Sequence, residues 1–167
     1  MKKKITALVM AAAMCLSVAA CGSSDNGGSG DTAKDTYTVG ICQLVQHQAL
    51  DAATQGFKGA LKEGLGDKVE FVEQNAANDI PTCGTICNGF VSDGVDLILA
   101  NATPALQAAT AATQSIPILG TAVTEYGVAL DIENFSGTVG GNVSGTSDLA
   151  PLGQQAAMFS GLLPHAK

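Results

Sequence analysis

The sequence predicts an α/β protein: an open, parallel, doubly wound sheet of the flavodoxin-like kind with helices on both faces. Two observations predict it. Short apolar runs rich in strand formers recur along the chain, and each is followed by a stretch with helical spacing. The runs do not alternate strictly with polar residues, which is the signature of strands covered on both sides. Strands alternating with helices assemble into a parallel sheet through right-handed crossovers. No internal repeat is visible.

The elements follow in order. Tyr37-Thr38-Val39-Gly40-Ile41-Cys42-Gln43-Leu44 is the first strand. Over residues 47–65, Leu50, Ala53, Phe57 and Leu61 recur at helical spacing, and Gly64 and Gly66 supply the stop. Residues 68–74, with Val69, Phe71 and Val72, form a second strand. Asp79 caps a helix running through Phe90, and Pro81 sits in its first turn, where a missing N–H costs nothing. The inner stripe of that helix is Ile80, Cys83, Cys87 and Phe90. Residues 95–100 are a third strand, and Thr103-Pro104 opens an alanine-rich helix reaching Thr113. Residues 116–121 make a fourth strand, and residues 141–146 a fifth after a glycine-rich approach. Residues 151–163 are a last helical stretch.

The start of the chain speaks to location. Lys2, Lys3 and Lys4 precede an apolar run of about 16 residues, shorter than the roughly 20 a membrane span needs. A basic start, a short apolar segment and the small pair Ala19-Ala20 describe a secretory signal over residues 1–20. Cys21 directly after that pair makes it a bacterial lipoprotein signal, in which the sulfur takes a diacylglyceryl group and the cysteine becomes the new N-terminus. An ordinary secreted protein with an incidental cysteine is the competing reading. Residues 21–36 are expected to be a flexible tether, since Gly22 to Gly30 holds no apolar side chain to bury. The folded part is then extracytoplasmic, anchored by lipid to the outer face of the cytoplasmic membrane.

Composition sets further bounds. Of 167 residues, roughly 130 remain for one ordinary domain, with 46% hydrophobic residues overall. The formal charge of -7 becomes more negative once the signal lysines leave, which argues against nucleic acid and against a polybasic grip on anionic lipid. Cys42, Cys83 and Cys87 remain after processing, an odd number that implies no disulfide framework.

Ligands of such sheets bind outside the carboxyl ends of the strands. Strand one leads to Gln46-His47, strand three to Asn101-Ala102-Thr103-Pro104, strand four to Thr121-Ala122-Val123-Thr124-Glu125, and strand five to Thr146-Ser147-Asp148. Thr103 is read as a helix cap and Pro104 as its first turn, so free N–H groups and the positive end of the dipole face the crevice and suit a carboxylate. Asp148, with Glu125 as a second candidate, is placed to receive an ammonium. Together they describe a site for a zwitterion such as an amino acid. The competing reading is that Thr103 and Asp148 only cap helices. Cys83 and Cys87, four apart, with Cys42 and His47 elsewhere, raise a metal or redox reading, but both cysteines fall on an apolar stripe and pack as small hydrophobes. His47 as a catalytic base lacks a nucleophile or metal to serve. The sequence has no phosphate loop, GxSxG elbow or HExxH motif, and no cofactor is implied. Tyr126, Phe135 and Phe159 are too scattered for a stacking platform.

These segments resemble a known family. The run from Val39 through Gln46-His47-Gln48-Ala49-Leu50-Asp51 is similar to the opening of substrate-binding lipoproteins of ABC importers of the tryptophan/tyrosine type. So are Gln74-Asn75-Ala76, Val91-Ser92-Asp93-Gly94-Val95-Asp96-Leu97-Ile98, Ala102-Thr103-Pro104-Ala105, Thr121-Ala122-Val123-Thr124 and Gly141-Asn142-Val143-Ser144-Gly145-Thr146-Ser147-Asp148, in family order. The resemblance implies type I periplasmic-binding-protein-like lobes that close on an aromatic or other small hydrophobic amino acid and deliver it to an ABC permease. It also implies pocket roles for Gln46, His47, Thr103, Pro104, Thr124, Ser147 and Asp148. Glu125 replaces a common aspartate, Gln48 a common proline, and Cys83 and Cys87 stand where small residues are usual. Residues 37–148 then form the N-terminal lobe, and residues 149–167 a hinge and crossover helix toward a second lobe expected beyond Lys167. With one wall of the cleft, binding is expected to be weak, and Leu152, Met158, Phe159 and Leu162 are expected to be exposed. A surface sensor on the same lobe and, further off, a flavodoxin-like enzyme are the alternatives.

Overall fold

A computed structural model describes residues 34–163. The signal segment 1–20, Cys21, most of the tether and residues 164–167 lie outside the described residues. The elements run β1 (Tyr37–Gln43), α1 (Gln48–Leu65), a 3-10 turn (Gly66–Lys68), β2 (Val69–Asn75), α2 (Ile80–Asp93), β3 (Leu97–Asn101), α3 (Thr103–Ala112), β4 (Ile118–Val123), α4 (Tyr126–Ala129), β5 (Val143–Ser147) and α5 (Leu152–Leu162). The five strands lie in the order β2-β1-β3-β4-β5, and every pairing between them is parallel. That is the flavodoxin-like winding expected from the sequence, with its switch point between β1 and β3. No described helix is long and apolar enough to cross a membrane.

Local chemistry accounts for most boundaries. His47 caps α1 through its ring, and Gly66 ends that helix at φ 60, where a side chain would strain. Asp79 caps α2 by accepting from the Thr82 N–H at 2.9 Å. That helix runs past Phe90 to Asp93, because Gly94 takes the left-handed C-cap and returns its N–H to the last carbonyls. One feature of its expected inner stripe is corrected. Ile80 is 62% exposed at the first position of α2, and Ile86 is buried in the core instead. The short helix α4 was not anticipated; it follows Glu125 as a single turn.

Alternate residues of β1 feed two cores, as the pleat requires. Val39 and Ile41 join Val69 and Leu99 beneath α1, with Phe57 and Leu61 packed against them. Cys42 joins the larger cluster beneath α2, α3 and α4, built on Ile86, Phe90, Ile98, Leu106, Ile118, Val123 and Tyr126. Gly40 permits a close approach: a Cβ there would lie 2.7 Å from the Phe90 ring. Residues 34–36 are exposed, and the Lys34 ammonium is paired to the Asp96 carboxylate. Helix α5 buries none of its residues, and Leu152, Met158, Phe159 and Leu162 are exposed, as expected.

Candidate ligand-binding site

Because all strands point the same way, the loops after β1, β3, β4 and β5 share one edge of the sheet. Every residue expected to contact a ligand lies at or just after one of those strand ends. Gln46, His47, Thr124, Ser147 and Asp148 are exposed there, and Thr103 and Pro104 are half-buried. The loops are also stitched to one another. The Leu44 N–H donates to the Asn101 carbonyl (3.2 Å), the Ala102 N–H to the Thr121 carbonyl (3.0 Å), and the Asp148 N–H to the Val123 carbonyl (3.0 Å).

At the switch point, the β1–α1 loop faces the start of α3. His47 Nδ1 accepts from the Ala49 N–H at 3.2 Å. With Nδ1 engaged, Nε2 is the ring nitrogen left to face a ligand. Across from it, the helix cap is not Thr103. Ala102 holds the cap position, at φ 96 and ψ 157, and offers no side-chain oxygen; Thr103 and Pro104 are the first helical residues. No side-chain acceptor covers the first turn of α3, which leaves its free N–H groups open to an anion.

Beneath this corner lies a polar cluster that the sequence reading missed. Gln43, Thr54 and Asn101 are all buried. Gln43 donates through Nε2 to the Val45 carbonyl at 3.0 Å and to Asp51 Oδ1 at 2.6 Å. The Thr54 hydroxyl donates to Gln43 Oε1 at 2.8 Å. Asn101 Nδ2 donates to the Leu50 carbonyl and to Thr54 Oγ1, both at 2.9 Å. Asn101 Oδ1 is buried and, among the described residues, has no hydrogen-bond partner, at a cost of about 1–3 kcal/mol. No signal in the sequence joins positions 43, 54 and 101; a polar residue at the last position of each of two neighbouring apolar strands was the available hint.

The β4 and β5 ends form the other half of the rim. A bulge between Gly120 and Val123 shifts the register, and Ala122 within it takes φ 53. Val123 then pairs with Ser147, whose hydroxyl donates to the Thr124 carbonyl at 2.6 Å. Strain at Ala102, just after β3, and at Ala122 in β4 flanks the rim, and such outliers cluster at functional sites. Glu125 is removed as an ammonium partner: its oxygens accept from the Gly127 and Val128 N–H groups at 2.8 and 2.6 Å, so it caps α4. Asp148 does not cap α5, whose N-cap is Pro151. Tyr126 is buried and its hydroxyl donates to the Thr146 carbonyl at 3.3 Å. Burial, and then the Asp148 charge, push its phenol above the ordinary value. Gly145 faces this hydroxyl, and a side chain there would collide with it. Beside them an open pocket of about 570 Å³ is lined by Tyr126, Phe135, Val139, Val143, Ser147 and Leu149.

The cysteines belong to the core. Cys42, Cys83 and Cys87 are free and fully buried in the cluster beneath α2 and α3. A hydrogen bond with Cys87 and then burial push the Cys42 thiol up, away from reactive thiolate. Among the described residues no group of three or more His, Cys, Asp or Glu side chains is placed to hold a metal ion.

Residues 38–167 match the family described as ABC transporter substrate binding protein. The chain is 41% identical over 179 residues to the tyrosine-binding protein of Clostridioides difficile (strain R20291), covering 99% of this chain and 50% of that protein. It is similar to the ligand-free, open structure of a substrate binding protein with adhesive properties from Clostridium difficile, at TM-score 0.70 and 41% identity, over 79% of this chain and 45% of the other. It is also similar to an ABC domain in complex with L-Trp from Streptococcus pneumonia, at TM-score 0.71 and 31% identity, over 79% and 45% of the two chains. The chain therefore spans about half the length, 50%, of that curated relative.

Proposed function

The chain belongs to the ABC transporter substrate-binding protein family, and on that premise we propose that residues 37–148 form one wall of an extracytoplasmic receptor for a small amino acid. The ligand is aromatic or hydrophobic and passes unchanged to an ABC permease. Cys21 anchors the receptor by lipid, after removal of residues 1–20. The single observation that carries this reading is the first turn of α3, which lacks a side-chain cap and stands at the switch point of the sheet. It takes the ligand carboxylate through backbone N–H groups and the helix dipole. Asp148 takes the ammonium. Gln46, His47, Thr124 and Ser147 frame the guest between these charges. The tyrosine-binding relative and the relative in complex with L-Trp support the ligand class. A second reading, a surface receptor acting without a permease, is favoured by the adhesive properties of one relative.

Residues 37–148 supply one wall of the cleft, and closure in such proteins brings two walls together. Titrating L-tyrosine and L-tryptophan into the protein while following backbone amide shifts is expected to move Thr103, Ala105 and Asp148. Tyramine, which lacks the carboxylate, is expected to leave the α3 amides unmoved. Equal responses to tyrosine and tyramine at Thr103 and Ala105 would refute this picture.

A further inference from the structure

We propose that Gln43, Thr54 and Asn101 are positioning residues that lock the β1–α1 loop, residues 44–47, to the end of β3. They thereby fix His47 against the uncapped first turn of α3. The inference rests on the ligand site proposed above and deepens it. Gln43 spends its amide N–H groups on Val45 in the loop and on Asp51 in the first turn of α1, so it clamps the loop from both ends. Asn101, the residue before the strained Ala102, donates to Leu50 and Thr54 on α1. Thr54 closes the ring by donating to Gln43 while accepting from Asn101. The loop and the α3 corner are thus held by directional bonds.

An apolar trio would fill the same space at lower cost. Asn101 Oδ1 stays buried and unpaired, whereas the opposite face of the same strands is filled by Cys42 and Ala100. Hydrophobic contact is non-directional and does not fix the angle of a loop; hydrogen bonds do. A buried polar network with an unpaired member is the weaker choice for stability. Its place beneath the switch point is explained by the geometry it imposes there.

Thr54→Val in the full chain removes the hydroxyl and keeps the shape, and Thr54→Ser restores the oxygen. Amide hydrogen exchange reads the loop at Leu44 and Asp51, whose N–H groups bond Asn101 and His47, and reads the core at Ile98. Thr54→Val is expected to speed exchange at Leu44 and Asp51 roughly tenfold more than at Ile98, the loss of one or two hydrogen bonds. Thr54→Ser is expected to return that ratio to near wild type. A uniform increase at all three amides, or no rescue by serine, would overturn the proposal. L-tryptophan titrated against the wild type and Thr54→Val, followed by the His47 and Thr103 amides, is expected to bind the variant roughly tenfold more weakly. Equal affinity despite a loosened loop would also overturn it. A wild type whose rim amides ignore L-tryptophan would sink the ligand site, while the exchange ratio still judges the clamp. If Thr54→Val does not fold, the half-buried Asp51→Ala is expected to raise the same ratio by roughly threefold, and an unchanged ratio there counts against the clamp.

Discussion

Beneath α2, α3 and α4 the sheet buries a continuous apolar cluster that runs from Cys42 through Phe90 and Leu106 to Ala129, whereas beneath α1 the buried apolar cluster, among the described residues, is Val39, Ile41, Val69 and Leu99. The carboxyl end of that thinner face holds Gln43, Thr54 and Asn101 in place of hydrocarbon. Beside α1 the sheet is left partly open, as a groove of about 380 Å³ lined by Ala53, Phe57, Leu99 and Leu119. The two faces divide the work. Three helices supply area and close packing, which hold the fold. One helix supplies direction, which holds a loop at the binding rim.

The sharpest way to break this comparison is to remove one aromatic ring from each face. Phe90→Ala is expected to cost about 3–5 kcal/mol, because its ring is 0% exposed and packed from several elements. Phe57→Ala on the thinner face is expected to cost about 1 kcal/mol, since that ring is only partly buried. Urea unfolding of the two variants measures both, and similar losses would show the faces to be energetically equal.

A smaller effect comes from overfilling the thicker face. Gly40→Ala places a methyl against the Phe90 ring and is expected to cost about 1–3 kcal/mol. Combined with Phe90→Leu the two losses are expected to be less than additive, because the smaller side chain makes room. Simple additivity by denaturant unfolding would place the strain elsewhere.

The smallest effect tests the edge where the thicker layer meets the rim. The Tyr126 phenol lies above its ordinary value through burial first and the Asp148 charge second. A raised folded-state value favours the protonated form. Its contribution to stability is therefore complete below the unfolded value of about 10 and is lost as pH rises through the folded value. In a Tyr37→Phe background, Asp148→Asn is expected to move phenolate absorbance to lower pH. An unmoved titration would separate Asp148 from Tyr126.

The corrections have a common origin. Glu125 reads as a loose carboxylate beside the ligand because α4, the single turn it caps, is too short to leave a periodic signature. Ala102 holds the cap position that Thr103 seemed to occupy, because tertiary structure forces an alanine to φ 96, a region residue type does not predict. Ile80 shares the helical phase of Cys83 and Phe90, yet it sits in the first turn beyond the edge of the packed layer, so phase alone did not bury it.

What the residues determined alone was the winding of the chain and the edge of the sheet on which its polar loops gather. Apolar runs, caps and stops such as Asp79, Gly66 and Gly94 act over a few neighbours, and parallel winding then sends every strand end to one side. What tertiary structure alone decided was which of those loop groups are spent internally and which face outward. Glu125 is consumed by a cap, and the β1–α1 loop is held from residues 43, 54 and 101. Hydrogen bonds reach only about 3 Å, so their partners are set by where distant segments come to rest and not by sequence spacing.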